Sequence, residues 1–478
     1  MRQSPRVGRS CYTTLHHAGC LMNTVSELLS TLKHNPALLD AITLLVSLAT
    51  TPHHGLYRDQ EAELLRAARA VSCAAQEVAL SERSTPGPKN LIHQGKRFER
   101  TSRAPRTYTS LDGPVRVTRD LYICRQDGDT LCPFELEVGI VESTLTPAAA
   151  RLEMMSAACD DFRTCQALHR ASFVLQRSKS AMQRDMTALA QPLSGQGDVL
   201  EEVRRAHLPE LDRVHAISVS VDRTGLPFEE PRKRGPGRPK KGAPKKPCEV
   251  VHRQVYCASL TLHDARGEAL STQRFAGLPE QGAQVVEDAR ACLRQLVTSY
   301  PSALLVQLCD GAEEMQNKGA QILEGYEVSE QLVDVWHAAK YVHQAFGAAG
   351  HTQKYCRELV RRLIENKTGL EEILMRINTI RVDHQLEAVE EARRYLTNHK
   401  ARMNYARARE KGLPIGSGNV EATCKCVVAV RFKRAGARWK KKDASTLLKV
   451  RSWLTSSEQV WKPICDAFLD TYVKPIAA

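Results

Sequence analysis

Long apolar runs are missing from this sequence. No stretch of its 478 residues approaches the roughly eighteen that a membrane helix needs, and "ALLDAITLLVSLA" is too short and too near acids and histidines to serve. A membrane partner is therefore not expected. No secretory hydrophobic segment is recognisable, and the fifteen cysteines follow no repeating spacing. An odd count of that kind fits a reducing cytoplasm and predicts free thiols. A disordered chain is not expected either, because 42% hydrophobic residues over this length provide a sizeable core for roughly two to four domains.

Acids are nearly missing from two windows. Residues 395 to 451 hold fifteen Lys and Arg against Glu410, Glu421 and Asp443 alone, and residues 231 to 248 hold eight basic residues and no acid. The net charge of +14 is concentrated there, on a body that is otherwise mildly acidic. Clustering of this kind is a footprint for a polyanion, most simply nucleic acid. Faces kept basic for solubility alone would intersperse the two signs.

Apolar residues at three- and four-residue intervals predict helices over residues 21–82. The Pro/Gly- and charge-rich run from Ser84 to Arg106 reads as a linker. "RTYTSLDGPVRVTRDLYIC" alternates around Asp112-Gly113 as a hairpin. Cys124 and Cys132 follow, one pair where a zinc ribbon needs two; Cys159, Cys165 and His169 could complete four ligands only if a helix folded back. Structural zinc is disfavoured against buried thiols. Residues 147–190 are helical with a break near Ser172, suiting a helix-turn-helix.

Beyond residue 211 the period changes. "HAISVSVDRTG" is an alternating strand ending in Asp222, "HRQVYCASLTLHDARGEALSTQRFA" a hairpin, and "SALLVQLCDG" a buried strand ending in Asp310. Glu421, in "GLPIGSGNVEATCKC", opens a helix after a Gly-Ser-Gly turn inside the most basic window. Strand ends and a neighbouring helix start can converge on one point. Three uncompensated carboxylates would repel there, whereas two Mg²⁺ or Mn²⁺ ions would neutralise them and drive in-line phosphodiester attack. Taken singly, each acid is better explained by a turn or a helix start than by catalysis.

"GLPIGSGNVEATCK" followed by "VRFKRAGARWKKKDASTLLKVRSWL", with "VSVDRTG", "LCDGAEEM" and "DVWHAAKYV" upstream, resembles the ISKra-type insertion-sequence transposases over roughly residues 105 to 460. The resemblance implies Asp222, Asp310 and Glu421 as a DDE catalytic and metal-binding triad. It places His337 at the family histidine, a helix-cap or core residue before a second-shell one. The implied fold is a multidomain α+β or α/β chain with a ribonuclease-H-like core, a mixed sheet with helices on both faces. Its expected layout is an N-terminal helical region and linker (1–100), a degenerate zinc-ribbon-like hairpin (101–145), and a helix-turn-helix-like segment (146–195). A catalytic core (211–455) with a helical insertion (345–409) and a C-terminal tail (456–478) complete it.

Residues 231–248 depart from the family pattern; around Gly237-Arg238-Pro239 they resemble an AT-hook for the narrow minor groove. Expected DNA contacts are Arg232, Lys233, Arg234, Arg238, Lys240 and Lys241 there. In the C-terminal window they are Lys425, Arg431, Lys433, Arg434, Arg438 and Lys440, with Trp439 stacking on an unpaired base. The expected function is transposition. The partners are double-stranded DNA (element terminal inverted repeats and target) and further copies of the chain on it, and the location is the bacterial cytoplasm with the nucleoid. A non-catalytic DNA-binding regulator and a structure-directed nuclease are the alternatives.

Overall fold

The computed structural model describes residues 30–194 without 31, 53, 54, 141, 142, 173 and 176, together with 208–230, 249–380, 386–456 and 476–478. Helical periodicity becomes α1 (Pro36–Thr50), with proline in its first turn where no amide is needed, and α2 (Tyr57–Arg83). An antiparallel sheet follows, built from β1 (Asn90–His93), β2 (Lys96–Thr109), β3 (Pro114–Ile123) and β4 (Thr130–Leu131). The expected linker over 84–106 is thus mostly strand. Gln94 (φ 49°) and Gly95 (φ 76°) form the two-residue turn between β1 and β2, a conformation whose twist matches the flanking strands. Glutamine at its first position hid that turn from a search for Asn-Gly or Asp-Gly.

The helices α3 (Pro133–Glu137), α4 (Pro147–Cys159), α5 (Phe162–Ala171) and α6 (Lys179–Ser194) come next. Asp161 caps α5, accepting from the amides of Arg163 (2.8 Å) and Thr164 (3.1 Å). The expected break near Ser172 lies between α5 and α6.

The second sheet holds β5 (Ala216–Glu230), β6 (Glu249–His263), β7 (Ala269–Gly277), β8 (Leu304–Cys309) and β9 (Glu330–Val333), in the order β7-β6-β5-β8-β9. Pairing is antiparallel from β7 to β5 and parallel from β5 through β8 to β9. Ile217, Val219 and Val221 with Ala258, Leu260 and Leu262 pack under α7 (Gly282–Ser299) and α8 (Glu313–Leu323). A helical block follows β9: α9 (Val335–Ala348), α10 (Gln353–Glu365), α11 (Gly369–Asn378), α12 (Leu386–Asn398) and α13 (Tyr405–Glu410). It has its own core around Val342, Phe346, Leu359, Ile373 and Leu396.

The opposite face of the second sheet meets α13 through Ala216, Leu308 and Ala408. Further along that face Leu226, Phe228, Val255 and Cys257 meet α14 (Gly418–Thr423), a π-helical turn over Cys424–Ala429, α15 (Val430–Phe432) and α16 (Lys441–Ser456), with α4 and α6 behind. The chain is a mixed α and β protein with a mixed sheet flanked by helices. Within the expected C-terminal tail, β10 (Ile476–Ala477) pairs with β1. Among the described residues no helix is long and apolar enough to cross a membrane.

One strand departs from expectation where it matters. β5 does not stop at Asp222 but runs on to Glu230, because β6 pairs with it along its whole length, from Ala216↔His263 to Glu230↔Glu249. The parallel partner β8 leaves much earlier, after Val219↔Gln307. Asp222 therefore sits where one neighbour continues and the other has ended.

Candidate active site

Side-chain alternation decides which acids share a face. Ser218, Ser220 and Asp222 point away from α7 and α8, opposite to Ile217, Val219 and Val221. Val306 on β8 lies opposite Ser218, Leu308 shares its face, and Asp310 continues that alternation just past the strand. Leu332 on β9 pairs with Leu308, and Asp334 continues in turn. Three aspartates thus leave one face at successive parallel strands.

Each is held differently. Burial raises the Asp222 carboxyl above the ordinary carboxylate value and the charge of Asp310 adds to the rise; donation from the Arg223 amide (2.6 Å) and the Cys424 thiol (3.4 Å) works against it. The oxygen of Asp310 that faces its own loop accepts from the Ala312 amide at 2.9 Å, while Tyr395 Oη of α12 donates to the Asp310 carbonyl at 2.8 Å. Between them Gly311 adopts φ +96°, and a β-carbon there would lie 2.8 Å from Tyr395 Oη, so only glycine fits. Tyr341 stacks on Tyr395 with ring centroids 3.9 Å apart, which fixes the clamp from behind.

Asp334 is a fastening. Its Oδ1 caps α9 by accepting from the amides of Trp336 (2.7 Å) and His337 (3.0 Å), and its Oδ2 accepts from the Ser417 amide and from Ser417 Oγ (2.7 Å). Burial alone would raise this carboxyl, but the contacts with His337 and Ser417 outweigh it and hold the group at about 2. The Gly-Ser-Gly turn ahead of α14 is tied by this residue to the end of β9. An aspartate directly before a helix is a legible cap in the sequence. His337 Nδ1 lies 3.5 Å from Asp334 Oδ1, with the side chain about half exposed at 49%. The bond to Asp334, and then the charges of Asp310 and Asp222, raise its pKa.

Glu421 stands in the first turn of α14. Val420 and Cys424 of this helical stretch pack against Cys257 on β6, directly opposite Asp222 in the strand register. Glu421 lies three residues before Cys424, on an adjoining part of the same helical face. Its Oε1 takes Lys425 Nζ at 2.8 Å, with 65% of the side chain exposed. The structure brings Asp222 and Asp310 within each other's field and leaves Glu421 a helical turn away at the surface. Among the described residues no three His, Cys, Asp or Glu groups are gathered closely enough to hold a metal ion. Asp222 and Asp310 nonetheless supply the hard oxygen donors that Mg²⁺ or Mn²⁺ takes.

The cysteines expected at a ribbon part company. Cys124 packs with Leu91, Tyr122 and Leu131, whereas Cys132 packs with Tyr108, Val115 and Phe134. Cys165 donates to the Ser156 carbonyl at 3.1 Å and His169 Nε2 meets Ser156 Oγ at 2.9 Å, both within the helical segment.

The basic residues divide into two groups. Arg431 is corrected from a DNA contact to a buried brace: it is 3% exposed, its Nε donates to the Ala157 carbonyl at 3.0 Å, and its guanidinium lies over the rings of Phe162 and Trp439. Arg451 does the same, donating to Val427, Ala158 and Cys426 carbonyls, which leaves the ends of α4 and the π turn satisfied. Trp439 is half-buried and lines a cleft with Arg434, Arg438 and Lys440. Its Nε1 donates to the Phe432 carbonyl at 3.1 Å, its ring packs on Phe432, and its backbone bonds Pro227 and Glu229 of β5.

Lys425, Lys433, Arg434, Arg438 and Lys440 are exposed. Lys433 Nζ donates to Thr224 Oγ1 at 2.5 Å and Arg434 pairs with Asp160 at 2.5 Å. Arg434, Arg438 and Lys440 face Arg163 and Lys179 across a cleft of about 740 Å³ between α5, α6 and the segment before α16. Arg232, Lys233, Arg234, Arg238, Lys240 and Lys241 lie outside the described residues. Compared with models of protein families and with curated proteins, the chain matches none.

Proposed function

We propose that the chain is a DDE transposase of a bacterial insertion sequence, similar to the ISKra type and built on a ribonuclease-H-like core. It cuts DNA at element ends and joins the freed 3′-hydroxyls to target DNA. The observation that carries this reading is the placement of Asp222 and Asp310 on one face, just past the end of the parallel pairing between β5 and β8, beside the helix start that bears Glu421. Asp222 and Asp310 would hold Mg²⁺ or Mn²⁺, and Glu421 would complete the set on turning in from the surface, where it now pairs with Lys425. When bound, two such ions activate a water or 3′-hydroxyl and stabilise the leaving oxygen of an in-line phosphodiester displacement.

The chain's own residues prepare that site. Ala312, Gly311 and Tyr395 fix the orientation of Asp310, and the Cys424 thiol that of Asp222. Asp334 ties the turn before Glu421 to β9, and Lys425 balances the glutamate's charge at the surface. Lys433, Arg434, Arg438 and Lys440 hold backbone phosphates against repulsion from the acids. The enzyme acts as a multimer, so that two ends are cut together.

The test is to incubate the protein and Mg²⁺ with labelled element-end DNA, comparing wild type with Asp310→Asn. The wild type should cut and join, and the variant should lose roughly a hundredfold or more of both. Equal activity would overturn the assignment of Asp310. Cutting without joining would make the chain a nuclease, and binding without cutting a regulator.

A further inference from the structure

Trp336 is 68% exposed, at the first turn of α9. Tryptophan is seldom left open in this way, since its ring is among the largest apolar surfaces a residue can bury. The rest of α9 follows the ordinary division: Val335, Ala338, Ala339 and Val342 turn into the core of the helical block. Trp336 is placed outside it by its position in the helical repeat. It follows Asp334 by two residues, and the Asp334 amide donates to the carbonyl of Cys309, the residue before Asp310, at 2.8 Å. The indole edge lies over the Gly-Ser-Gly turn, with Nε1 3.5 Å from where a β-carbon on Gly416 would stand. Glycine leaves the turn flat beneath the ring. One helical turn further along the same face, Lys340 is exposed.

An open indole and a cation four residues apart, on a ledge beside two carboxylates, match one kind of occupant. A nucleic-acid strand offers a base to stack on and a phosphate to pair with at about that spacing. A base inside a duplex hides both faces, so the base must be unpaired, at a strand end or turned out of the helix. We infer that Trp336 is the stacking platform for an unpaired base next to the phosphate presented to Asp222 and Asp310. This rests on the transposase reading. Trp336 offers the more open face of the two, since Trp439 is half-buried with its ring packed on Phe432.

The probe is a short fluorescent duplex with a 3′ overhang of adenines, compared with the same duplex whose overhang is abasic. The full-length wild type should bind the adenine overhang about tenfold or more tightly, Trp336→Phe should keep most of that ratio, and Trp336→Ala should bring it near one. Circular dichroism shows whether the alanine variant is folded; if it is not, the ratio for the wild type and the phenylalanine variant decides. A wild-type ratio near one, or a folded alanine variant that keeps the wild-type ratio, overturns the inference and leaves the transposase reading standing. Failure of the wild type to bind either duplex overturns both. A change in oligomeric state of Trp336→Ala with its ratio unchanged assigns the face to a second copy and also overturns the inference.

Discussion

Gly311 shows how one residue without a side chain sets a carboxylate. Its φ of +96° and the 2.8 Å approach of Tyr395 Oη leave no place for a methyl group. Gly311→Ala should therefore cost about 1–2 kcal/mol for the backbone conformation alone, plus displacement of Tyr395, read as a lower denaturant midpoint. Glu153 is a residue under the opposite strain. It is fully buried on α4 with neither carboxylate oxygen hydrogen-bonded; burial, and then the charge of Asp185, raise its pKa while Arg177 at 3.7 Å only partly opposes them. The folded state keeps this proton above pH 4.5, where the unfolded chain gives it up. Stability from this group is full below that value and is lost as pH rises through the raised pKa. Denaturant midpoints should fall between about pH 5 and about pH 8, and Glu153→Gln should flatten the slope. Asp222, Asp310 and Glu421 could be singled out in the sequence because each sits at a predicted element end. Tyr395 was not, since its bond to the Asp310 loop spans 85 residues and no local pattern announces it.

At the scale of elements, the period of apolar residues was a reliable guide wherever one face was buried. It found β8 because its apolar run is nearly unbroken. It missed β1 and the part of β2 before Arg106, whose exposed, charged and proline-bearing sequence reads as a linker until a neighbouring strand pairs with it. It also cut β5 short at Asp222, because the strand's continuation "RTGLPFEE" contains Gly and Pro and is extended chiefly by β6. Pro227 is tolerated there beside the Trp439 bridge. Because Glu230 and Glu249 pair directly, residues 231–248 can be exchanged for an Asn-Gly turn without disturbing the stem. That variant should keep the wild-type thermal midpoint within about a degree or two, yet bind DNA more weakly and with a shallower salt slope. A steep slope retained in full would show that the eight basic residues of this segment do not touch phosphate.

For the whole molecule, charge was legible as a total and not as an assignment. The basic window around Glu421 mixes exposed cations with Arg431 and Arg451, which the fold uses as internal braces between α4, the π turn and α16. No count of lysines and arginines separates the two kinds, because a buried arginine depends on which carbonyls end up beside it. The long β5–β6 stem adds a constraint of its own. From Asp222 to Glu230 the two strands stay in register for nine residues, eight steps of about 3.3 Å or roughly 26 Å. Along a double helix rising about 3.4 Å per base pair, that span is roughly eight pairs. The two ends of the ribbon are thus a fixed interval apart, a built-in gauge that cannot shorten unless its ladder comes undone.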